Sequence, residues 1–152
     1  MIGRSLSAVD LAIAKERLWR QAREVAAWFE QVDVALTPTL AQPPVPVGSL
    51  QPQGLEARMQ GVVAKLRLGG LIRRTPLMDE AVQRAFAFIP FTPLYNVTGQ
   101  PAASLPLHWT PEGLPVGAQL AARFGEEALL FSLAAQLEQA RPWAERRPAG
   151  FA

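Results

Sequence analysis

The chain has 152 residues, with 15 Lys and Arg against 13 Asp and Glu, and a formal net charge of +2 at pH 7. At 49% hydrophobic and 18% charged it is too apolar for a disordered chain, its apolar runs fall short of the ~20 residues of a membrane span, and so small a cationic surplus gives no nucleic-acid footprint without clustering. Cysteine is absent, which removes disulfides and thiolate metal sites and fits a soluble, cytoplasmic protein.

Residues 1–152 are long enough for a single domain or part-domain around one core. The opening Met1-Ile2-Gly3-Arg4-Ser5-Leu6 has no long apolar segment behind it, so no secretory signal is expected. Ser7 with Asp10 three residues on forms a helix start, and Leu11, Ala14, Leu18, Ala22, Val25, Phe29 and Val32 recur at spacings of three and four. That pattern predicts a long amphipathic helix whose other side, with Lys15, Arg17, Arg20 and Arg23, is solvated. Trp19 and Trp28 lie off the apolar stripe and offer a second contact surface.

Asp33 to Leu36 reads as a short buried strand of a central sheet, ended by Thr37-Pro38-Thr39. A Pro-rich loop spans 40–54, with Pro43, Pro44, Pro46 and Pro52. From Leu55 to Arg74 the apolar spacing suits a helix, and the basic residues Arg58, Lys65, Arg67, Arg73 and Arg74 suit its C-terminal dipole. Thr75-Pro76 opens another helix, with Ala81, Val82, Ala85, Phe86 and Ile89 as its buried stripe, and Pro90 and Pro93 end it.

The strongest signals lie between Phe91 and Ala122. Asn96 and Gly99 tolerate positive φ and Pro101 fixes φ, so a sharp turn is expected there, followed by an extended run. In the strand from Ala102 to Trp109, Ala103, Leu105, Leu107 and Trp109 share one face, and Pro106 argues for an edge position or a strand end. Thr110-Pro111-Glu112-Gly113 has the residue order of a type I turn, and Leu114 to Ala122 returns as the second arm of a β-hairpin. The small residues Ala102, Ser104, Gly117 and Ala118 would let a neighbouring layer approach closely. Gly125 and Glu126-Glu127 then introduce a helix with the stripe Leu130, Leu133, Ala134, Leu137 and Ala140, which Pro142 stops; the tail from Trp143 is expected at the surface.

Chemistry is sparse in this sequence. Ser104 and His108 lie on one predicted strand and one face of it, but roughly 13 Å apart at strand rise, too far for a nucleophile and its base. One His, no Cys and side-by-side Glu126-Glu127 give no metal-ligand spacing, and no phosphate-binding glycine loop occurs.

Asn96-Val97-Thr98-Gly99-Gln100-Pro101-Ala102, Leu105-Pro106-Leu107, Gly113-Leu114-Pro115-Val116-Gly117-Ala118-Gln119 and the helix at Glu126-Glu127 occur in an order that resembles the C-terminal end of the amidase signature family. Asp33-Val34-Ala35-Leu36-Thr37-Pro38-Thr39 is similar to an upstream segment of the same family. The resemblance covers 33–39 and 91–140 and implies an α/β fold with helices packed on a small mixed sheet. It also implies hydrolysis of carboxylic amides by covalent serine catalysis, without a cofactor. The family carries its two catalytic serines in a Gly/Ser-rich loop, and its lysine, towards its N-terminus. No such context surrounds Ser5, Ser7, Ser49, Ser104 or Ser132, or Lys15 or Lys65, so no catalytic residue is assigned. By resemblance Thr37, Pro38, Thr39 and Asn96 lie nearest the substrate pocket. The expected protein is thus a C-terminal amidase segment, inactive alone, that meets a small-molecule amide once completed by an N-terminal part. The alternative is a non-enzymatic amidase-like remnant or interaction module that binds a partner such as a separately encoded N-terminal half. Either way, bare helix faces and an open sheet edge favour a homo-oligomer, with no nucleic-acid or membrane partner.

Overall fold

In the computed structural model of the chain, the residues described are 6–49, 54, 58, 61–62, 65 and 76–146. They form α1 (Ala8–Trp28), β1 (Val34–Pro38), α2 (Pro76–Phe88), α3 (Thr92–Thr98), β2 (Ala102–Trp109), β3 (Pro115–Ala122) and α4 (Glu127–Ala140). Two compact units share them, one made of 1–17 and 42–88, the other of 18–41 and 89–152. The expected Leu55–Arg74 helix, with Arg67, Arg73 and Arg74 of its basic cluster, lies for the most part outside the described residues, as does Thr75.

α1 begins as its sequence predicts. The Ser7 backbone N–H donates to Asp10 Oδ2 and the Asp10 N–H donates to Ser7 Oγ, both at 3.0 Å, so two of the otherwise orphaned donors of the first turn are satisfied reciprocally. The first part of its apolar stripe, however, is not buried: Leu11, Ala14 and Leu18 are exposed, as are Trp19 and Trp28 off the stripe. Only the end of the stripe, Val25, Phe29 and Val32, reaches a core. On α2, Val82 and Phe86 of the predicted buried stripe are likewise exposed. Both helices are amphipathic, and among the described side chains the N-terminal part of the α1 stripe and Val82 and Phe86 of α2 are open.

The second unit is built on a three-stranded sheet in the order β1-β3-β2. Both pairings are antiparallel, a correction to the mixed sheet expected. β2 and β3 must be antiparallel because a tight turn joins them. Thr110 accepts from the Gly113 N–H at 2.9 Å, Gly113 takes a φ of 84°, and the Thr110 N–H donates to Leu114 O at 2.9 Å. This is a tight turn ended by a left-handed glycine, the form of the three-residue hairpin connection. β1 is an edge strand among the described residues, and where a buried strand was expected only its Ala35 is buried while Leu36 is 66% exposed.

Pro106 gives the edge position that its missing N–H demands of β2. The ladder slips beside it: Pro106 stands opposite Gly117 but His108 stands opposite Val116, which leaves Leu107 as an extra residue. Arg141 Nη1 donates to the Leu107 carbonyl at 3.1 Å, and the Arg146 guanidinium lies 4.3 Å from the centre of the Trp109 ring. Trp143 packs against the sheet's core as well. The described segment after α4 lies at the surface, as expected, and through Arg141 and Arg146 touches the β2 edge of the sheet.

Register sorts the side chains onto two faces. Ala35, Thr37, Gln119, Ala121, Ala102 and Ser104 share the first, where Phe29 and Tyr95 pack on Ala35 and Ala121. Leu105, Leu120 and Ala122 define the second, covered by Leu130, Leu133, Ala134 and Leu137 of α4. Ala140, the last residue of that predicted stripe, is exposed. The result is a layer of sheet between helical layers, with β3 buried on both sides over 119–122.

Candidate functional site

The first sheet face is apolar at one end and polar at the other, because Ala35 and Ala121 give way to Thr37, Gln119 and Ser104 along the strands. Over the polar end lies a cleft of about 350 Å³, lined by Thr39, Tyr95, Asn96, Gln100, Ser104 and Gln119, with Thr92, Ala102 and Ala103 completing the wall. Thr92, Tyr95 and Asn96 reach it together because spacings of three and four place them on one side of α3.

α3 itself corrects the turn expected at Asn96. Pro93 sits in the first turn of this helix, where its missing N–H and fixed φ are tolerated, and Asn96 is helical. The sharp change of direction falls on Gly99 alone, at a φ of 82°, with its N–H donating to Tyr95 O at 2.9 Å. Gln100 follows immediately, and the bond from the Ala122 N–H to Pro101 O at 3.1 Å ties that connection to the sheet. A helix of seven residues holds too little periodicity for sequence reading to find it.

Gly117 makes the closest approach in the site. Thr39, whose N–H donates to Gly117 O at 2.9 Å, stands on one side of β3 and Ser104 on the other. Their hydroxyls meet across the strand at 2.5 Å, through space a side chain at position 117 would occupy. Ser104 is thus engaged by a hydroxyl, not by a base. The bulge at Leu107 pairs His108 with Val116, on the parity of Ala118 and Leu120 and off the Ser104 face. Among the described residues no carboxylate, imidazole or cation lines the cleft. Among the described residues no group of three or more His, Asp and Glu could hold a metal ion.

Of the four residues assigned by resemblance, Thr39 and Asn96 line the cleft together. Thr37 lies one step along the same face, paired with Gln119, and its Oγ1 is buried without a hydrogen-bond partner. Pro38 points away, exposed, on the opposite parity. Sequence reading missed Tyr95, Gln100, Ser104 and Gln119 as cleft residues. The available signal was Gln119, a lone polar residue in the apolar run Val116 to Ala122.

Burial pushes the Tyr95 phenol above its ordinary 10.0. The folded state therefore holds this proton more tightly than the unfolded chain does. The associated stability is complete below the unfolded value and is lost as pH rises through the raised folded one. Denaturant melts are expected to show no Tyr95-linked change up to about pH 9 and a fall above about pH 10 that Tyr95→Phe removes. An unchanged alkaline fall in Tyr95→Phe would assign it elsewhere.

Comparison with known proteins places this geometry. The profile of the family described as Amidase matches residues 2–131. The chain is 39% identical over 142 residues to the AmiC protein of Mycobacterium bovis, covering 93% of this chain and 25% of that one. It is 35% identical over 139 residues to the 6-aminohexanoate-cyclic-dimer hydrolase of a Pseudomonas species, covering 90% and 25%. A solved structure of 6-aminohexanoate cyclic dimer hydrolase superposes with a TM-score of 0.70 at 31% identity, covering 95% of this chain and 27% of that one. The chain spans about a quarter of the length of these relatives. No described helix is long and apolar enough to cross a membrane. With a family match over most of its length and a shared fold around the cleft, this chain belongs to the Amidase family.

Proposed function

We propose that the chain is the C-terminal portion of an amidase that hydrolyses carboxylic amides through a covalent serine intermediate, and that it supplies a wall of the substrate pocket. The nucleophile, bridging serine and lysine come from polypeptide on its N-terminal side, within one protein or as a separate chain. The observation that carries this reading is the cleft, whose hydroxyl and carboxamide groups can hydrogen-bond an amide while the one serine in it, Ser104, faces Thr39 and no base. In the reaction the nucleophile's oxygen bonds to the carbonyl carbon, the C–N bond breaks, the amine leaves with a proton, and water releases the acyl group. Thr39, Asn96, Gln100 and Gln119 would orient the amide for those steps and keep bulk water from it.

The test is to treat the chain with a serine-directed phosphonylating reagent, alone and after addition of an amidase N-terminal portion that carries the Gly/Ser-rich loop. The chain alone is expected to gain no mass, and the complemented sample to be labelled on the added portion and to hydrolyse amides. Stoichiometric labelling of the chain alone, lost in Ser104→Ala, would overturn the proposal and make this a small serine hydrolase.

The open face of α1 favours a second reading, an amidase-like module without activity that binds a separately encoded N-terminal half through Leu11, Leu18 and Trp19. Both readings share one consequence. With these residues uncovered, the chain alone is expected to self-associate into a homo-oligomer at micromolar concentration. Light scattering that reports a stable monomer there would count against it.

A further inference from the structure

The sheet of the second unit ends in two edges of different kind. Along β2 the row of donors breaks at Pro106, which has no N–H, and the Leu107 carbonyl is taken by Arg141. β1 has no such break before Pro38. Thr39 donates its N–H to Gly117 O in continuation of the β1–β3 register, so Ala35 and Thr37, on the same parity, turn their N–H and C=O towards β3. Val34, Leu36 and Pro38 turn theirs outward, and no described strand pairs with them.

That edge fits a second copy of itself. No charged residue lies between Val34 and Pro38. When two β1 strands run antiparallel about a two-fold axis at Leu36, each Leu36 N–H meets the Leu36 C=O of the other copy, and each Val34 N–H meets the other Pro38 C=O. The two Leu36 side chains then lie side by side on the face of Leu120. They need this cover, since α4 buries Leu120 to 3% exposure and leaves Leu36, its neighbour in the ladder, 66% exposed. Asp33 falls opposite Thr39 of the other copy and is already paired with Arg123 of its own chain at 2.8 Å, so no like charges are opposed. Any extended segment could answer the backbone groups. A second copy also brings an equally exposed leucine to the place on this edge where one is bare.

We infer that β1 is a self-pairing edge, through which two copies of this chain join their sheets into one continuous antiparallel sheet with Leu36 on the two-fold axis. This contact is separate from the open face of α1 and does not depend on the amidase reading. Because Thr39 lines the cleft and follows directly on the paired strand, the dimer would steady that side of the cleft in both copies.

The exposed position of Leu18 allows the two contacts to be separated. Leu18→Lys closes the α1 route and should leave a dimer in sedimentation equilibrium at micromolar concentration. In that background Leu36→Lys and Leu36→Glu are each expected to weaken the dimer about tenfold or more, because like charges then meet on the axis. Mixing the two variants should restore a one-to-one dimer, since position 36 meets itself only in this arrangement. Leu36→Pro removes an outward N–H and no bond of the β1–β3 ladder, so it should split the dimer with far-ultraviolet circular dichroism unchanged. Hydrogen exchange followed by NMR gives an independent reading. The Val34 and Leu36 amides should slow as protein concentration rises, while those of Ala35 and Thr37, bonded to β3 in either state, stay slow throughout. A monomeric Leu18→Lys chain, a dimer that survives Leu36→Lys or is not restored by mixing, or Val34 and Leu36 amides that exchange freely at every concentration would overturn the inference. Labelling and hydrolysis in the complemented sample bear on the amidase proposal alone.

Discussion

Gly117→Val is expected to destabilise the chain by about 3 kcal/mol, the upper end of what overpacking a well-filled site costs. A Cβ at this position would stand 2.5 Å from Ser104 Oγ, 2.6 Å from Thr39 Oγ1 and 3.1 Å from Thr39 Cβ. The first of these contacts can be relieved, since a serine hydroxyl rotates. Thr39 is less free, because its backbone is bonded to Gly117 O and its branched Cβ fixes χ1. Gly117→Ala should therefore cost about 1 kcal/mol, and Ser104→Ala in that background should recover about half of it, because the two substitutions share a contact and do not add. Urea melts of the four proteins close the cycle. A Gly117→Val chain as stable as the parent would mean that β1 and β2 are further apart across β3 than described here.

Phe29→Ala is the second large effect. Phe29 is 1% exposed and is the largest fully buried side chain among the described residues. It meets Trp28 edge-on with ring centres 5.1 Å apart, tilts against Tyr95 at 6.5 Å, and packs on Ala35 and Ala121. Those two alanines leave it room and cannot move in to fill the space it vacates, so the cavity should persist. The expected loss is about 3–5 kcal/mol, comparable with the whole stability of a small domain. Loss of near-ultraviolet circular dichroism at room temperature would show it. Because Tyr95 carries one side of the cleft, Phe29→Leu, which fills part of the space, should keep the fold but loosen α3. A Phe29→Ala variant within about 1 kcal/mol of the parent would show that this cluster is not the core of the unit.

What could be read in the sequence was whatever acts over a few residues. Ser7 and Asp10, Pro106 at a sheet edge, Thr110 to Gly113 as a turn, and the glutamates opening α4 are each determined by local backbone chemistry, and each is found as read. The misreadings arise where a neighbour decides. Asn96 is turn-prone in isolation, but Pro93 before it and Gly99 after it close a helical turn around it. Leu107 adds an extra residue to a strand whose alternation looked regular, and so moves His108 off the Ser104 face. The stripes on α1 and α2 were legible as apolar periodicity, which says that a face wants cover and not that this chain provides it. Within the site, family likeness brought Thr39 and Asn96 to the cleft. Gln119 escaped because its place in the cleft depends on register with β1, a segment distant in sequence, and Gln100 because it follows a seven-residue helix that the sequence did not reveal.

The hydroxyl contact between Thr39 and Ser104 joins residues 65 positions apart, while β2 and β3 are neighbours through a three-residue turn. The hairpin can form as soon as its own residues meet, and α4 follows directly behind it. β1 must close a far longer loop, and loop closure is an entropic loss that no local contact returns. During synthesis β1 leaves the ribosome long before β3 exists to receive it. The cleft is therefore the last part of its unit to be assembled, since its floor needs the early strand on one side of Gly117 and the late hairpin on the other.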